Sequence, residues 1–397
     1  MEIAHHLPHV DLQHYSLASH ALNREANRIL WRSVAVAPCS LIERYIGEFA
    51  DALMRDPIRA ANIRHIKFVP SKYQRICCSP RMYEWSIFPP EPTEEFWTSL
   101  EEALRLLVGV RNVRLHNASS STDSSYPDRF LDIIGSALGQ LSIVHLDAQL
   151  RPNRLFQLCR AWRPLTALSA KSVSKDPLID FSPNIFSQLR HVELDHRLIC
   201  HIVPGRPLET IYHAGVSYGC GDAFDLLTDT LRGCTTLLRA RVYCVARDED
   251  DAAKLLPAFA HGNIREFHLF VALKHTLKHE FGSLTSSLTM QALPSGVSTY
   301  LPKLEFLQIV LCHRGFDAQC RDHITTTGDS DAVVKSLGEF LTSEGHRALK
   351  GVEISFWSGE TDDNGAIRFL ATRAGSRWDV NVAEWGPSAL PRFEDVF

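Results

Sequence analysis

One apolar spacing recurs along most of this 397-residue chain: two residues separate its first and second positions, and one residue separates the second from the third. The second and third positions alternate with polar residues, as in a strand that buries only one of its faces. The ten copies are Ile63-Ile66-Phe68, Val110-Val113-Leu115, Leu141-Val144-Leu146, Leu165-Leu168-Ala170, Leu189-Val192-Leu194, Leu208-Ile211-His213, Leu237-Ala240-Val242, Ile264-Phe267-Leu269, Leu304-Leu307-Ile309 and Leu349-Val352-Ile354. A chain that repeats one short strand so often is restricted to folds built from many similar strands.

The distance between copies is nearly regular in the middle of the chain. Their second residues fall at positions 113, 144, 168, 192, 211, 240 and 267, so neighbouring copies lie 19 to 31 residues apart. A period of about 20–29 residues is typical of leucine-rich repeats. Helical patterns lie between several copies, at Phe96–Val108, Phe130–Leu138, Leu155–Trp162 and Phe224–Leu231. Such strand–helix units bury their apolar faces only by stacking on similar units, so the pattern predicts an α/β fold.

The predicted fold over residues 37–397 is an irregular leucine-rich-repeat-type solenoid with a parallel sheet. Leucine-rich repeats usually carry Asn three residues after the third apolar position. Here that position is Ala118, Gln149 or Arg197, so we expect the solenoid to be irregular. Longer gaps between the outer copies predict loop insertions near residues 71–92, 274–300 and 312–331. An ordinary α/β domain with parallel strands is the alternative.

Two short helical patterns precede the first copy. Asp11 is the predicted N-cap of a helix that begins at Leu12 and ends near Ser19–Leu22, because its carboxylate accepts hydrogen bonds from the unpaired amides of a first turn. Asn23 is the predicted N-cap of a second helix, with apolar residues on one side and charged residues on the other. Residues 34–36 then predict a short strand that leads into the repeats.

This opening segment resembles the F-box, and in particular the F-box-like modules that precede repeats in fungal proteins. The matching stretches are HLPHVDL at 6–12, SLASHAL at 16–22 and EANRILWRSV at 25–34. Since the family has a longer opening helix than MEIAHHL provides, the resemblance implies an N-terminally truncated F-box within residues 1–36. It also implies that a Skp-type adaptor protein is bound through Leu7, Pro8, Leu12, Leu17, Leu22, Ala26, Leu30 and Trp31.

Motifs for catalysis and metal binding are weak in this sequence. His275 and His279 lie four residues apart, but Thr276 stands where a zinc-protease helix has Glu. Residues 312–323 hold two Cys and two His at spacings that match no standard zinc finger. There is no phosphate-binding glycine loop and no G-x-S-x-G elbow. We therefore expect a protein that is not an enzyme and that needs no cofactor or metal.

Composition narrows the classes of partner. The formal net charge of −4 gives no electrostatic case for binding nucleic acid or an anionic membrane. No apolar run approaches the roughly 18 residues that a membrane span needs, and the first residues lack the apolar core of a signal peptide. The ten cysteines are scattered without a C-x-x-C pair, which favours reduced thiols. These features predict a cytoplasmic or nuclear protein.

The remaining candidate site is the face of the repeated strands that is not buried. Residues flanking the second apolar position should lie on this face, and Arg and aromatic side chains there suit protein binding. The predicted target-binding residues are His145, His191, Tyr212, Arg239, Arg241, His268 and Phe306. Together with the F-box resemblance, they predict a substrate-recognition subunit of a Skp–cullin–F-box ubiquitin ligase that binds an unknown protein target. The alternative is a non-enzymatic repeat-type interaction scaffold with a decayed F-box.

Overall fold

The computed structural model describes residues 14, 17–36, 46–68, 92–116, 128–150, 152–162, 164–172, 183–217, 221–246, 254–260, 263–273, 292–313, 334–335, 337–338, 340–341, 348–357, 367–375 and 377–384. The chain divides into two compact units, Met1–Leu189 and Arg190–Phe397. The sequence-based boundary at residue 36 stays a prediction.

In the first unit, helices and strands follow one another along the chain. The helices are α1 (His20–Leu30), α2 (Ile46–Arg55), α3 (Pro57–Asn62), α4 (Glu94–Arg105), α5 (Asp128–Ala137) and α6 (Pro152–Ala161). The strands are β1 (Ser33–Val36), β2 (His65–Phe68), β3 (Asn112–His116), β4 (Ile143–Leu150) and β5 (Ala167–Ser172). A short 3₁₀ helix, Pro183–Phe186, follows β5.

In the second unit, strands outnumber helices among the described residues. The helices are α7 (His196–Ile202), α8 (Gly221–Leu231) and α9 (Ala292–Tyr300), with a 3₁₀ turn at Leu256–Phe259. The strands are β6 (His191–Asp195), β7 (Thr210–Ser217), β8 (Arg239–Ala246), β9 (Glu266–Leu273), β10 (Phe306–His313), β11 (Gly351–Trp357), β12 (Ile367–Ala374) and β13 (Arg377–Glu384).

Strand order follows chain order in both units, from β1 to β5 in the first and from β6 to β13 in the second. Within each unit, neighbours pair in parallel up to β11, whereas β12 pairs antiparallel with both β11 and β13. Each of the ten apolar triplets places its second and third residues in a strand, from β2 to β11. The prediction of an α/β fold with a mostly parallel sheet is therefore confirmed.

A repeated backbone hydrogen-bond pattern sets the register at the amino ends of the strands. The carbonyl oxygen of Arg32, just before β1, accepts bonds from the amides of Arg64 and His65 at 2.9 and 3.0 Å. The carbonyl of Arg265, before β9, accepts in the same way from Glu305 and Phe306 at 2.8 and 2.9 Å. Because this doubly accepting carbonyl recurs from strand to strand, corresponding residues of successive strands lie side by side.

The apolar triplets form the core on one face of the strands. In the third copy, Leu141 before β4 and Val144 and Leu146 within β4 are each at most 1% exposed. Phe68 of β2 meets the ring of Phe130 in α5 edge-on, with 5.2 Å between the ring centroids. Burial of each such side chain stabilises the fold by roughly 1.5–3 kcal/mol, so the repeated triplet supplies much of the stability of each unit.

Helix α4 illustrates how the connecting helices cover this face. The Thr93 hydroxyl caps it by accepting a bond from the amide of Phe96 at 3.2 Å. Glu94 in its first turn and Arg105 in its last turn complement the helix dipole. Its buried side chains are Trp97, Leu100, Ala103 and Leu104, which recur three or four residues apart as in an amphipathic helix.

The first described helix begins earlier than the sequence predicted. Helix α1 starts at His20, and the Ser19 hydroxyl caps it by accepting a bond from the amide of Leu22 at 3.2 Å. Asn23 was therefore the wrong N-cap, because Ser19 is extended (φ −165°) and reaches the first free amides. Asn23 lies within the helix and accepts from Asn27 Nδ2 at 2.5 Å. The predicted ending of the preceding helix near 19–22 is wrong for the same reason, whereas the strand at 34–36 is confirmed within β1.

The antiparallel hairpin β12–β13 was not predicted. Its strands pair from Ile367 with Glu384 to Ala374 with Arg377, so a two-residue turn joins them. Gly375 in this turn has φ +65°, a left-handed conformation that favours glycine over residues with a side chain. The parallel repeat therefore ends at β11 among the described strands, and a hairpin continues the sheet.

Several other expectations fall partly outside the described residues. Most of the predicted insertions near 71–92, 274–300 and 312–331 lie there, but α9 occupies the end of the second, and β10 extends to His313 at the start of the third. His275, His279, Cys320 and His323 also lie outside, so the expectation of no metal there stays a prediction. Four described cysteines, Cys159, Cys200, Cys234 and Cys244, are free thiols. None of the described helices combines the length and apolar character needed to cross a bilayer.

Candidate functional site

In the second unit, the face opposite the buried triplets carries aligned rows of side chains. The residue between the second and third triplet positions of each strand lies beside its counterpart in the next strand. We call this line the central row; its members, from β6 to β11, are Glu193, Tyr212, Arg241, His268, Gln308 and Glu353. Gln308 is buried and the others are half-buried. Because adjacent strands lie about 4.8 Å apart, the row presents a continuous polar line across six strands.

Hydrogen bonds connect the β9, β10 and β11 members of the central row. His268 Nδ1 lies 2.6 Å from Gln308 Oε1, and Gln308 Nε2 donates to Glu353 Oε1 at 3.1 Å. The hydroxyl of Ser355, two residues further along β11, donates to the same carboxylate oxygen at 3.1 Å. An amide oxygen only accepts, so His268 Nδ1 carries the proton. The network fixes the tautomer of His268 and the orientation of the Gln308 amide.

Arg241 occupies the middle of the central row between two aromatic rings. Its Cζ atom lies 4.8 Å from the ring centroid of Phe270 and 5.8 Å from that of Tyr212. Both distances are within cation–π range. Both rings therefore stabilise the guanidinium charge. These contacts hold the guanidinium of Arg241 within the row.

Burial changes the protonation behaviour of the central row. It lowers the pKa of His268, and the Gln308 hydrogen bond raises that pKa while the charge of Arg241 lowers it. Burial also raises the pKa of Tyr212, against the opposing effect of Arg241. The pKa of Arg241 is lowered by burial too, but guanidinium groups stay protonated in proteins. At neutral pH the row therefore combines a neutral imidazole and a neutral phenol with one cation at its centre.

A second line of side chains runs beside the central row, at the start of each strand. Arg239 of β8 and Glu266 of β9 form an ion pair at 3.2 Å. Phe306 is 47% exposed, a large fraction for an aromatic side chain in a strand. A Cβ on Gly351 in β11 would lie 3.0 Å from the Phe306 ring, so the absence of a side chain there leaves room for the ring. Phe306 is thus an exposed apolar contact point held beside a polar row.

Six of the seven predicted target-binding residues lie on this face of the second unit. Tyr212, Arg241 and His268 belong to the central row, and His191, Arg239 and Phe306 belong to the line beside it. His145 takes the corresponding central position in β4 of the first unit, next to Arg114 and Ser169. All seven therefore lie opposite the buried triplets, one of them in the other unit, and their role in target binding stays a prediction.

Sequence reasoning did not include Phe270 and Ser355 in the site. Phe270 covers Arg241, and Ser355 completes the hydrogen bonds of Glu353. Both lie two residues beyond a central-row residue on the same strand, so they share its face. The signal that could have found them is the period of two continued past the end of the triplet.

The second candidate surface lies in the opening segment. Leu17 is 82% exposed, while Leu22, Leu30 and Trp31 are half-buried. The guanidinium of Arg59 in α3 lies 5.3 Å from the centroid of the Trp31 ring. Ala26 is completely buried, so it serves as a packing residue of α1 and offers no surface to a partner. The predicted adaptor-binding residues Leu7, Pro8 and Leu12 lie outside the described residues.

Comparison with known proteins gives no assignment. The scan against protein-family models finds no family that matches the chain, and the search of curated proteins finds no significant match. The resemblance to F-box and leucine-rich-repeat proteins rests on the residues of the chain itself. The role of both surfaces is therefore a matter of proposal.

Proposed function

We propose that this protein is the substrate-recognition subunit of a Skp–cullin–F-box type ubiquitin ligase. Its opening segment binds the adaptor, and the polar face of its strands binds a protein target. It performs no chemistry itself. By holding the target near a conjugating enzyme, it raises the effective concentration of the target's lysines at the reacting thioester.

We further propose that the strand–helix units build a leucine-rich-repeat-type solenoid. Support comes from the parallel strands in chain order and from the carbonyl that accepts two amides at the start of successive strands. Each strand–helix repeat then contacts mainly the repeats next to it. On the exposed face of the sheet, each strand from β6 to β11 presents one side chain to the central row. Such a surface lengthens with the number of units and suits recognition of an extended partner.

The observation that carries the target-binding part is the central row with its neighbours. It brings Arg241 and Tyr212 onto one face, with Phe306 exposed on the adjoining line. Arg and aromatic side chains are the types that most often dominate binding energy in protein interfaces. Since Arg241 and His268 are already held by contacts within the row, little conformational freedom remains to be lost on binding.

The adaptor-binding part is supported by the exposure of Leu17. A leucine that is 82% exposed places nearly all of its apolar surface in water, and covering it with a partner is favourable by roughly 1.5–3 kcal/mol. Half-buried Leu22 and Leu30 on α1 add further apolar area. The resemblance to the F-box assigns these positions to adaptor contact.

The test is a pull-down of a purified Skp-type adaptor by the purified chain. Leu17→Asp should weaken adaptor capture by about tenfold or more, since it replaces a covered apolar contact by a charge. The matched control is Leu226→Asp, which changes another exposed leucine, in α8 of the second unit. Equal capture by both variants and the parent chain would refute adaptor contact at Leu17. Failure of the parent chain to bind any Skp-type adaptor would leave the interaction scaffold as the function.

The interaction scaffold with a decayed F-box is favoured by one specific observation. Ala26 is completely buried and Trp31 lies against Arg59, so two of the adaptor positions are used within the chain. A helix that covers the end of a repeat array needs such contacts even when it binds no adaptor. The pull-down separates these functions, because only the receptor requires adaptor binding.

A further inference from the structure

Three arginines precede the first three strands of the first unit. Arg32, Arg64 and Arg111 stand immediately before β1, β2 and β3. The carbonyl of Arg32 accepts from Arg64 and His65, and the carbonyl of Arg64 accepts from Arg111 and Asn112 at 3.0 and 3.1 Å. These bonds place the arginines side by side, and strand spacing puts the outer two about 10 Å apart. We call them the arginine row.

The charges of the arginine row are not neutralised by the described residues. None of its guanidinium groups forms an ion pair with a carboxylate in the described ranges. Arg64 is half-buried and donates to the carbonyls of Ala61 and Ile63 at 2.6 and 3.0 Å. Arg32 and Arg111 are exposed. Three like charges thus stand together with their outer two members in water.

The equivalent positions of the second unit are arranged differently. Arg190, before β6, pairs with Glu209, before β7. Glu305, before β10, pairs with Arg265 at 3.6 Å and also with Lys350, before β11. Charges of opposite sign therefore neighbour each other at this edge of the second unit, where only Leu238 is uncharged. At the same edge of the first unit the charged residues are all arginines, and Ser142 and Thr166 before β4 and β5 are uncharged.

Several arginines on the helices of the first unit pair with carboxylates. Arg28 pairs with Glu25 in α1, and Arg105 pairs with Glu101 in α4, at 2.7 and 2.5 Å. Local carboxylates are thus supplied to several helix arginines, although Arg24 of α1 and Arg160 of α6 form no ion pair with the described residues. What distinguishes the arginine row is that three neighbouring arginines all lack an ion pair with a carboxylate among the described residues.

Further cationic side chains extend the arginine row along the strands. Lys67 of β2 and Arg114 of β3 are register partners and both are half-buried. His65 lies between them and the row, and its pKa is lowered by burial first and then by the charges of Arg32 and Arg64. The charges of Arg32 and Arg64 thus act on a side chain of β2. None of the described side chains of β1, β2 and β3 is acidic.

We infer that the arginine row, with Lys67, binds an extended anionic segment of a partner protein. An extended chain advances about 3.3 Å per residue, so a span of about 10 Å fits three or four consecutive residues. Guanidinium groups bind carboxylates and phosphates through paired N–H bonds, so Asp/Glu runs and phosphorylated residues share the required chemistry. A nucleic acid fits less well, because its affinity for proteins comes from neutralising many phosphates, and the row offers three arginines. This inference rests on the proposed function only in taking the ligand to be a protein segment.

The test uses fluorescence anisotropy of labelled peptides with the full chain. One peptide carries about four consecutive glutamates, a second carries phosphoserines at those positions, and a third carries glutamines. A single-stranded oligonucleotide of matched charge is the fourth probe. We expect the two anionic peptides to bind and the glutamine peptide not to bind. The tighter of the two anionic peptides identifies the source of the anion.

The key variant is Arg32→Gln combined with Arg111→Gln, which spares Arg64 because its hydrogen bonds support the local fold. It should weaken anionic-peptide binding by about tenfold or more. The matched control, Arg55→Gln combined with Arg105→Gln, removes the same charge from helix surfaces and should change binding by less than about twofold. Absence of peptide binding, equal loss in both variants, or tighter binding of the oligonucleotide would overturn the inference.

The same proteins also separate this inference from the proposed function. The arginine variant should retain adaptor capture, and Leu17→Asp should retain peptide binding. If the parent chain binds the anionic peptides but captures no adaptor, the receptor function is refuted and the anionic site is supported. Adaptor capture without peptide binding would refute the anionic site alone.

Discussion

The imidazole of His268 donates through Nδ1 to the side-chain oxygen of Gln308 on the neighbouring strand, over 2.6 Å. The amide nitrogen of Gln308 in turn donates to Glu353, so the three side chains form a directed chain of bonds across β9, β10 and β11. If the Gln308 amide were reversed, its N–H groups would face the Nδ1–H of His268 and its oxygen would face the carboxylate of Glu353. The direction of the whole chain is therefore fixed by the charge on Glu353.

This relationship makes the free energy of unfolding depend on the protonation of His268. Its pKa in the folded protein is lowered, chiefly by burial, from an ordinary value of 6.5. As pH falls below 6.5, the unfolded chain binds a proton more readily than the folded chain, so stability decreases toward acid. Charged neighbours act in both directions, since Arg241 lowers this pKa while Glu266 and Glu353 raise it. We expect His268→Gln to reduce the loss of stability between about pH 7.5 and pH 5.

The measurement is urea unfolding of both proteins at a series of pH values. The matched control is His20→Gln, which changes an exposed histidine of α1. His65 and His191 also have pKa values lowered mainly by burial, so a residual decrease toward acid should remain in every variant. An identical pH dependence in the parent chain and in His268→Gln would contradict the predicted role of burial.

The triplet spacing predicted ten strands correctly because it covers both the residue that leads into a strand and the alternation within the strand. Its first residue lies just before the strand and the other two alternate within it, so even the irregular copy ending in His213 forms β7. His213 is 2% exposed, which shows that position in the repeat outweighs side-chain polarity. The helix start was missed because both Ser19 and Asn23 are good caps, and only the extended backbone at Ser19 decides between them.

Side-chain contacts between strands that are far apart in the sequence could not be predicted from the triplet spacing alone. His268 and Gln308 are 40 residues apart, and Gln308 and Glu353 are 45 apart, across connections much longer than the common repeat. Their pairing depends on the strand register, which is set by the carbonyls that each accept two amides before successive strands. No sequence pattern indicates which residues make these backbone bonds. The hairpin β12–β13 did leave a signal, in the alternation around Gly375, but it lacks the triplet spacing.

Arg241 and Phe270 should be energetically coupled. Their contact at 4.8 Å is a cation–π interaction in a partly buried setting, for which about 0.5–2 kcal/mol is typical. The check is a double-mutant cycle of Arg241→Met and Phe270→Leu, measured by urea unfolding. Pairing Arg241→Met with the distant Leu226→Ala provides the control and should give additive effects. Additive effects in the Arg241–Phe270 cycle would show that the ring only fills space.

Gly109 should not tolerate a side chain. A Cβ there would lie 1.6 Å from Arg64 Nη1 and 2.8 Å from the carbonyl oxygen of Ala61. Gly109→Ala would therefore displace the Arg64 guanidinium from its bonds to Ala61 and Ile63 and press on the backbone, at an expected cost of about 1–3 kcal/mol.

The control for this substitution is Gly233→Ala, since a Cβ there meets no atom within 4 Å. It should change the free energy of unfolding by less than about 0.5 kcal/mol. Thermal or urea unfolding compares the two variants directly. Equal stabilities would mean that Arg64 does not occupy the space above Gly109.

Leu17 and Ala26 should respond in opposite ways to the same substitution. Leu17 is 82% exposed, so Leu17→Asp places a carboxylate in water and should change the free energy of unfolding by less than about 0.5 kcal/mol. Ala26 is completely buried in the middle of α1, so Ala26→Asp forces a charge into an apolar site and should cost several kcal/mol or leave α1 unfolded. Circular dichroism and urea unfolding measure both effects. If Leu17→Asp destabilised the chain as strongly as Ala26→Asp does, Leu17 would be a packing residue, and its loss of adaptor capture could no longer be attributed to a direct contact.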